Sequence, residues 1–334
     1  MLEVLAMDCQ RIEMVDLFTD PNYSDIRFEC DNGKPVKKVR IYMNSRGCRY
    51  SKRKECLMCG YFKQANEFLT SREMVLSFQK EFEKYDFGQY PILAVYTPGS
   101  FLDDRELLPG AREEILQMIG ATNEIKNVII ETRPEFVTRE KIKEIVQSLP
   151  NKIVTIAMGL ESSNDFVRNK CINKSLTWDC YLRAAKTITR YCNLRTYILF
   201  KPPFLTESEA IDDAIGSIQD AFSVGSESVF LEICNVQRGS PLESLYDMGL
   251  YKPPRLWSVL DVLSRFEGKK VFVGGINDYP PPKAEASNCE FCTENVKREL
   301  IRYNSTLDLS PLMELDCECR YVHPLEQSIE LITP

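Results

Sequence analysis

Cys48, Cys56 and Cys59 stand at x7 and x2 spacing in a loop directly behind an apolar run at residues 39–43. Protein-bound iron–sulfur clusters are ligated through cysteine sulfur, so three thiolates can hold three irons of a cubic [4Fe–4S] cluster. With no fourth cysteine in the loop, the remaining iron is open to a small molecule. A zinc knuckle is the alternative, but structural zinc takes four ligands. The one histidine, His323, lies far away in sequence. A second set follows near the end: Cys289-Glu290-Phe291-Cys292 and, after x24, Cys317-Glu318-Cys319. These four thiolates suit tetrahedral zinc, or a second iron–sulfur cluster. A site closed by four protein ligands is structural, a staple from the tail to the body.

The elements that must position these groups are legible in the pattern. Apolar, β-branched runs at residues 39–43, 91–96, 127–131, 153–158, 195–200 and 228–233, with a short one at 270–273, alternate with helix-period segments. Thr70-Ser71-Arg72-Glu73 and Thr206-Glu207-Ser208-Glu209 read as capping boxes. Thr138 precedes a helix with Ile142, Ile145, Val146 and Leu149 on one face, ended by Pro150-Asn151. Strand–helix–strand repetition implies a parallel sheet with right-handed crossovers. About six units are too few for a closed eight-stranded barrel. The expected fold is α/β, a partial (β/α)6 TIM-like barrel at residues 37–275. An N-terminal extension (1–36) precedes it and a small Cys-rich C-terminal extension (276–334) follows. In such barrels chemistry gathers at the C-terminal strand ends, and the three-cysteine loop follows the first strand.

Bulk properties narrow the class. Of 334 residues 44% are hydrophobic, enough for one large domain. No apolar run approaches the ~20 residues that span a bilayer. The start, Met1-Leu2-Glu3-Val4-Leu5-Ala6-Met7-Asp8, lacks a basic n-region and a cleavage site, so a cytoplasmic protein is expected. Its 13 cysteines are then expected reduced or metal-bound. Cys9, Cys30, Cys171, Cys180, Cys192 and Cys234 lack ligand-like spacing and read as core or surface residues. The net charge of −7 opposes nucleic-acid binding by the whole surface. Yet nine Lys and Arg and no acid fall between Lys34 and Lys54, which is either a cationic patch for a phosphodiester backbone or a solvated run with a counter-charge for a bound carboxylate.

The strand ends carry polar groups suited to a ligand. Gly99, with Ser100 behind it, lets the backbone approach closely, and its carbonyl can accept from an ammonium. Glu131 and Arg133 leave one strand end as a carboxylate and a guanidinium, fit for hydroxyls and a carboxylate or for an ion pair tying a loop. Glu161-Ser162 follows Gly159-Leu160 as a further acceptor. Lys201 can pair with an anion or stand solvated before a turn. Asn235, Gln237 and Arg238 can bind a base or an amino-acid moiety, or make turn hydrogen bonds.

The three-cysteine loop, with Tyr61 behind it among the expected cofactor contacts, resembles that of radical-SAM enzymes, whose open iron binds S-adenosylmethionine (SAM). Their commonest spacing is x3 then x2, so Cys48-x7-Cys56 points to a sub-branch with a longer first loop. Gly99-Ser100-Phe101 resembles the form found in the elongator catalytic subunit and its relatives. From about Arg40 to Arg320 the chain is similar to the radical-SAM subunit of archaeosine synthase. The similarity is carried most specifically by Lys201-Pro202-Pro203-Phe204-Leu205-Thr206-Glu207, Asn235-Val236-Gln237-Arg238-Gly239-Ser240 and Gly249-Leu250-Tyr251-Lys252-Pro253-Pro254. The resemblance implies SAM cleavage to a 5′-deoxyadenosyl radical and C–N lyase chemistry in 7-deazaguanine tRNA modification. It also implies a one-electron reductant and a partner enzyme that first adds lysine to the nitrile of 7-cyano-7-deazaguanine. Asp16, Asp20, Asp25, Glu29 and Asp31 make the N-terminal region acidic, and no added RNA-binding domain is visible, so a small-molecule or peptide substrate stands as the alternative to tRNA.

Overall fold

The computed structural model describes residues 22–53 and 55–322. Cys9, Asp16, Asp20, Lys54 and His323 lie outside them. Eight strands form one sheet in chain order: β1 (Tyr23–Asp31), β2 (Lys34–Tyr42), β3 (Ile92–Tyr96), β4 (Asn127–Thr132), β5 (Ile153–Glu161), β6 (Asn193–Phe200), β7 (Ser228–Ile233) and β8 (Val271–Gly274). From β2 onward every pairing is parallel, while β1 runs antiparallel to β2. The curled sheet is a partial barrel whose edges are β1 and β8.

Helices cover its outer face. The principal ones are α2 (Ser71–Phe82), α3 (Pro109–Ala121), α4 (Arg139–Ser148), α5 (Trp178–Ile188), α6 (Glu207–Ser223), α8 (Leu256–Leu263) and α9 (Thr293–Thr306); α1 (Arg49–Lys52), α7 (Pro241–Asp247) and α10 (Ser310–Met313) are short. Strands buried on both faces read as unbroken apolar runs. Leu93, Ala94, Val95, Val128, Ile129 and Ile130 have no exposed surface. Ile142 and Ile145 of α4 bury against this layer as the periodicity requires. Both expected capping boxes form: Thr70 and Thr206 accept from the backbone of Glu73 and Glu209, whose carboxylates return the bond. Each such cap stabilises its helix start by about 1 kcal/mol.

The strand β1 lies inside the segment assigned to an N-terminal extension, yet it belongs to the sheet. Its Glu29 projects into the barrel floor and pairs there with Lys38 of β2 and Arg195 of β6, both under the ring of Phe230. These ion pairs change the reading of the basic run. Lys38 pairs with Glu29, Arg40 with Asp25, Arg49 with Asp103, Lys52 with Glu67 and Arg53 with Glu55. Lys34 and Lys37 are exposed, but they begin β2, at the end of the barrel opposite the cysteine loop. What was a run of free cations in sequence is mostly counter-charged in space. Among the described residues no helix is long and apolar enough to cross a membrane.

Candidate functional site

A cavity of about 320 Å³ opens at the C-terminal ends of the parallel strands, and Cys48, Cys56 and Cys59 all line it. The loop that carries them is held from several sides. Cys48 caps α1, and Cys59 N–H closes a turn onto the Cys56 carbonyl at 3.1 Å. Leu57 bonds through its backbone to Ile172 on one side and Leu242 on the other. Gly60 N–H donates to Gln237 Oε1 at 2.7 Å, tying the loop to the mouth of β7. The Arg133 guanidinium lies 3.8 Å from Cys56 Sγ, stacks 3.9 Å from the centre of the Tyr50 ring, and donates to the Lys174 carbonyl at 2.7 Å. The same guanidinium pairs with Glu135 at 2.6 Å, so the sulfurs face an ion-paired arginine that ties down the loop.

Two of the thiols are held in the protonated form by burial. Burial pushes Cys59 up to about 12, and burial raises Cys48 too, against the opposing pull of the Ser51 amide and Arg133. A coordinated metal deprotonates such a thiol outright. The fit of the loop to a cluster is also sterically tuned. Gly99, at the end of β3, sits so close to Cys48 that an added Cβ would stand 2.5 Å from its Cβ and 3.0 Å from its Cα, and would strike the Glu106 carboxylate. Three soft donors on one short loop, a neighbouring cation and a glycine pressed against the first sulfur-bearing residue suit an iron–sulfur cluster with one corner facing the cavity.

The other expected residues divide. Tyr61, Gly99, Glu131, Arg133, Glu161, Asn235 and Gln237 line the cavity. Ser100 lies behind its wall: its hydroxyl accepts from Arg133 N–H at 3.0 Å, and its own N–H donates to Glu106 at 2.7 Å. Ser162 also faces away, donating to Asp213 at 2.7 Å and accepting from Asn164 N–H. Lys201 does not reach the cavity; its ammonium pairs with Glu207 at 3.0 Å and donates to the Lys252 carbonyl. Both members of that pair are buried, and breaking such a pair costs about 3–5 kcal/mol. Arg238 is exposed and outside the lining, while Asn235 donates to the Gly275 carbonyl at 2.7 Å.

Several lining groups escape sequence reasoning. Lys174 pairs with Glu161 at 2.6 Å across a loop. Glu232, one residue before the end of β7, folds against Gly274 and faces the same space as Glu131. Neither Glu131 nor Glu232 has a cation at ion-pair distance among the described residues. Burial, reinforced by the Glu232 carboxylate for Glu131 and by Asp278 for Glu232, pushes each up to about 8. The rings of Tyr96, Tyr197 and Phe230 wall part of the chamber. A lone acid amid the apolar residues of β7 was the one signal that pointed to Glu232.

The raised carboxylates make the protein's stability pH-dependent. A folded-state pKa above the ordinary 4.5 means the native chain holds protons that the unfolded chain has shed. Stability from this source is full below about pH 4.5 and is lost as pH rises through about 8. The urea midpoint of cluster-free protein is expected to fall between pH 6 and 9, and to fall less in a Glu131→Gln/Glu232→Gln double variant. Parallel pH slopes for the two proteins would contradict the assignment.

No family model matches the chain. It is 33% identical over 293 residues to archaeosine synthase subunit beta of Methanosarcina acetivorans, covering 86% of this chain and 84% of that one. It is 32% identical over 297 residues to archaeosine synthase subunit beta of Thermococcus kodakarensis, covering 86% and 91%. Among solved structures it resembles an N-terminally truncated Elp3 of Methanocaldococcus infernus, with a TM-score of 0.50 at 14% identity over 80% of this chain and 62% of that one. At that identity the likeness concerns the fold alone.

Proposed function

The chain belongs to the archaeosine synthase subunit beta family, and from that premise we propose that it is a radical-SAM enzyme of archaeosine-type tRNA modification. Its reaction is cleavage of a C–N bond in a lysine-bearing 7-deazaguanine nucleotide, leaving a formamidine. The observation that carries the reading is the three-cysteine loop opening, beside Gly99, into a chamber at the C-terminal strand ends. When bound there, the cluster and SAM supply one-electron chemistry able to remove a hydrogen atom from an unactivated carbon.

The chain's own residues supply position and environment. Cys48, Cys56 and Cys59 would hold the cluster, and Arg133, ion-paired with Glu135, fixes the loop through Tyr50 and Lys174. The Glu161–Lys174 pair offers an acceptor for ribose hydroxyls and a donor for a carboxylate. Glu131 and Glu232 offer acceptors to the ammonium groups that SAM and a lysyl substituent both carry. Tyr96, Tyr197 and Phe230 line the same chamber with rings, the surface that would shield a reacting carbon from water and so from side reactions. The relatives are named as subunits, which supports a partner protein; a lysine-transferring enzyme would supply the substrate, and a one-electron reductant the electron.

A second reading, a small substrate in place of tRNA, is favoured by one finding: most of the basic run beside the loop is already ion-paired. One assay separates them. Reduced, reconstituted protein with SAM is given tRNA bearing the lysine adduct or the free modified base, and products are read by nucleoside mass spectrometry. The expected result is the formamidine nucleoside in tRNA, with 5′-deoxyadenosine, and tRNA binding that weakens steeply with salt. Turnover of the free base alone transfers the proposal to the second reading. Conversion of neither overturns it.

A further inference from the structure

We propose that Cys289, Cys292, Cys317 and Cys319 hold a single zinc ion, and that this ion locks α9 across the open edge of the barrel. The Cys289–Cys292, Cys289–Cys317 and Cys292–Cys319 sulfurs lie 3.6, 3.5 and 3.5 Å apart, and all four fall within 4.8 Å of one another. A tetrahedron with Zn–S bonds of about 2.3 Å has edges of about 3.8 Å. The four sulfurs of a cubane bind four different irons and stand outward from its corners, so they do not come this close. They are also far beyond the ~2.05 Å of a disulfide. The geometry points to one ion rather than a second cluster, and a tetrahedral all-sulfur site selects zinc or a lone iron. With every ligand supplied by the chain, the site is closed and structural.

The surroundings complete it. Trp257, on α8, donates its indole N–H to Cys319 Sγ at 3.2 Å, the kind of hydrogen bond that orients a metal-bound thiolate. The Arg320 guanidinium lies 5.1 Å from that indole's centre and sets a positive charge near the four sulfurs. Cys317 N–H donates to Asp316 at 2.9 Å, which fixes the turn carrying the last two ligands.

What the ion would hold in place follows from the topology. The second ligand, Cys292, is the residue immediately before α9. That helix packs on β1, β2 and β8, across the gap between the two sheet edges. There it replaces the missing strand neighbour of β8. Asn304 accepts from Val273 N–H at 2.8 Å and donates to Val273 C=O at 2.7 Å, while Tyr303 O–H donates to Val271 C=O at 2.9 Å. Ile301 and Asn304 of the same helix line the cavity that receives the cysteine loop. The zinc therefore clasps the start of α9 to α8 and to the turn after α10, and α9 in turn closes the chamber wall.

The test uses the intact protein, purified anaerobically. Metal analysis is expected to give about one zinc per chain beside the iron of the Cys48/Cys56/Cys59 cluster. Zinc-edge X-ray absorption of the unaltered protein should show four sulfur neighbours at about 2.3 Å. In a Cys317→Ser/Cys319→Ser variant the zinc is lost and the cluster iron retained. Amide exchange in α9 and along β8 then accelerates tenfold or more. Iron in place of zinc, a disulfide, or zinc with other than four sulfur neighbours overturns the metal assignment. Loss of zinc with unchanged exchange in α9 overturns the clasp. None of these outcomes bears on whether SAM is cleaved at the other site, so the two readings fail separately.

Discussion

Cys56→Ser is expected to abolish SAM cleavage, with 5′-deoxyadenosine falling to the uncatalysed background under anaerobic, reducing conditions. Cys56 supplies one of three sulfurs in a set with no spare, and a serine hydroxyl is a poor ligand for iron that soft thiolates select. The substitution also leaves Arg133 facing a smaller neutral group where it had lain 3.8 Å from sulfur. Cluster content, read as iron and sulfide per chain, should fall with activity. Cys192→Ala is the control, because Cys192 packs at the end of α5 and lies outside the cavity lining. Retained 5′-deoxyadenosine production in Cys56→Ser would contradict the ligand assignment.

Gly99→Ala should also be damaging, though it leaves activity, and it adds only a single methyl group. The new carbon would stand 2.5 Å from Cys48 Cβ and 3.0 Å from its Cα, closer than such contacts come in folded proteins. Cys48 Cα and Cβ cannot swing aside as a side-chain tip can, so relief requires the cysteine loop to move, and the Glu106 carboxylate must shift as well. Overpacking of this kind costs about 1–3 kcal/mol, which at about 1.4 kcal/mol per factor of ten is roughly a five- to 140-fold loss of cluster occupancy or SAM turnover. Gly216→Ala on α6 is the matched control, since nothing lies within 4 Å of its added Cβ. That change should leave turnover alone and raise helix stability by about 0.5–1 kcal/mol. Equal activity of the two variants would show that Gly99 does not set the loop's position.

Most of the scaffold was legible because its signals are local. The strands β3 to β7 are buried on both faces, so their apolar runs mark them within two or three residues, and 228–233 coincides with β7. The helix starts at Thr70, Thr138 and Thr206 were marked by their own side chains. The strand β1 was not, because Asp25, Glu29 and Asp31 resemble a solvated segment until Lys38, Arg40 and Arg195 come alongside. Those partners are distant in sequence or across the sheet. The same holds within the site. Cysteine spacing announces itself, and the positions that face a barrel mouth follow from strand ends. Which strand-end group finds an internal partner does not: Lys201 is claimed by Glu207 and Ser162 by Asp213, while Glu131 remains facing the chamber.

The central claim is that Cys48, Cys56 and Cys59 share one cubane whose fourth iron faces the chamber, and electron paramagnetic resonance of anaerobically reconstituted, reduced protein addresses it most directly. A single [4Fe–4S] signal whose spectrum changes when SAM is added is the expected result. No cubane signal, or one that is indifferent to SAM, would contradict it.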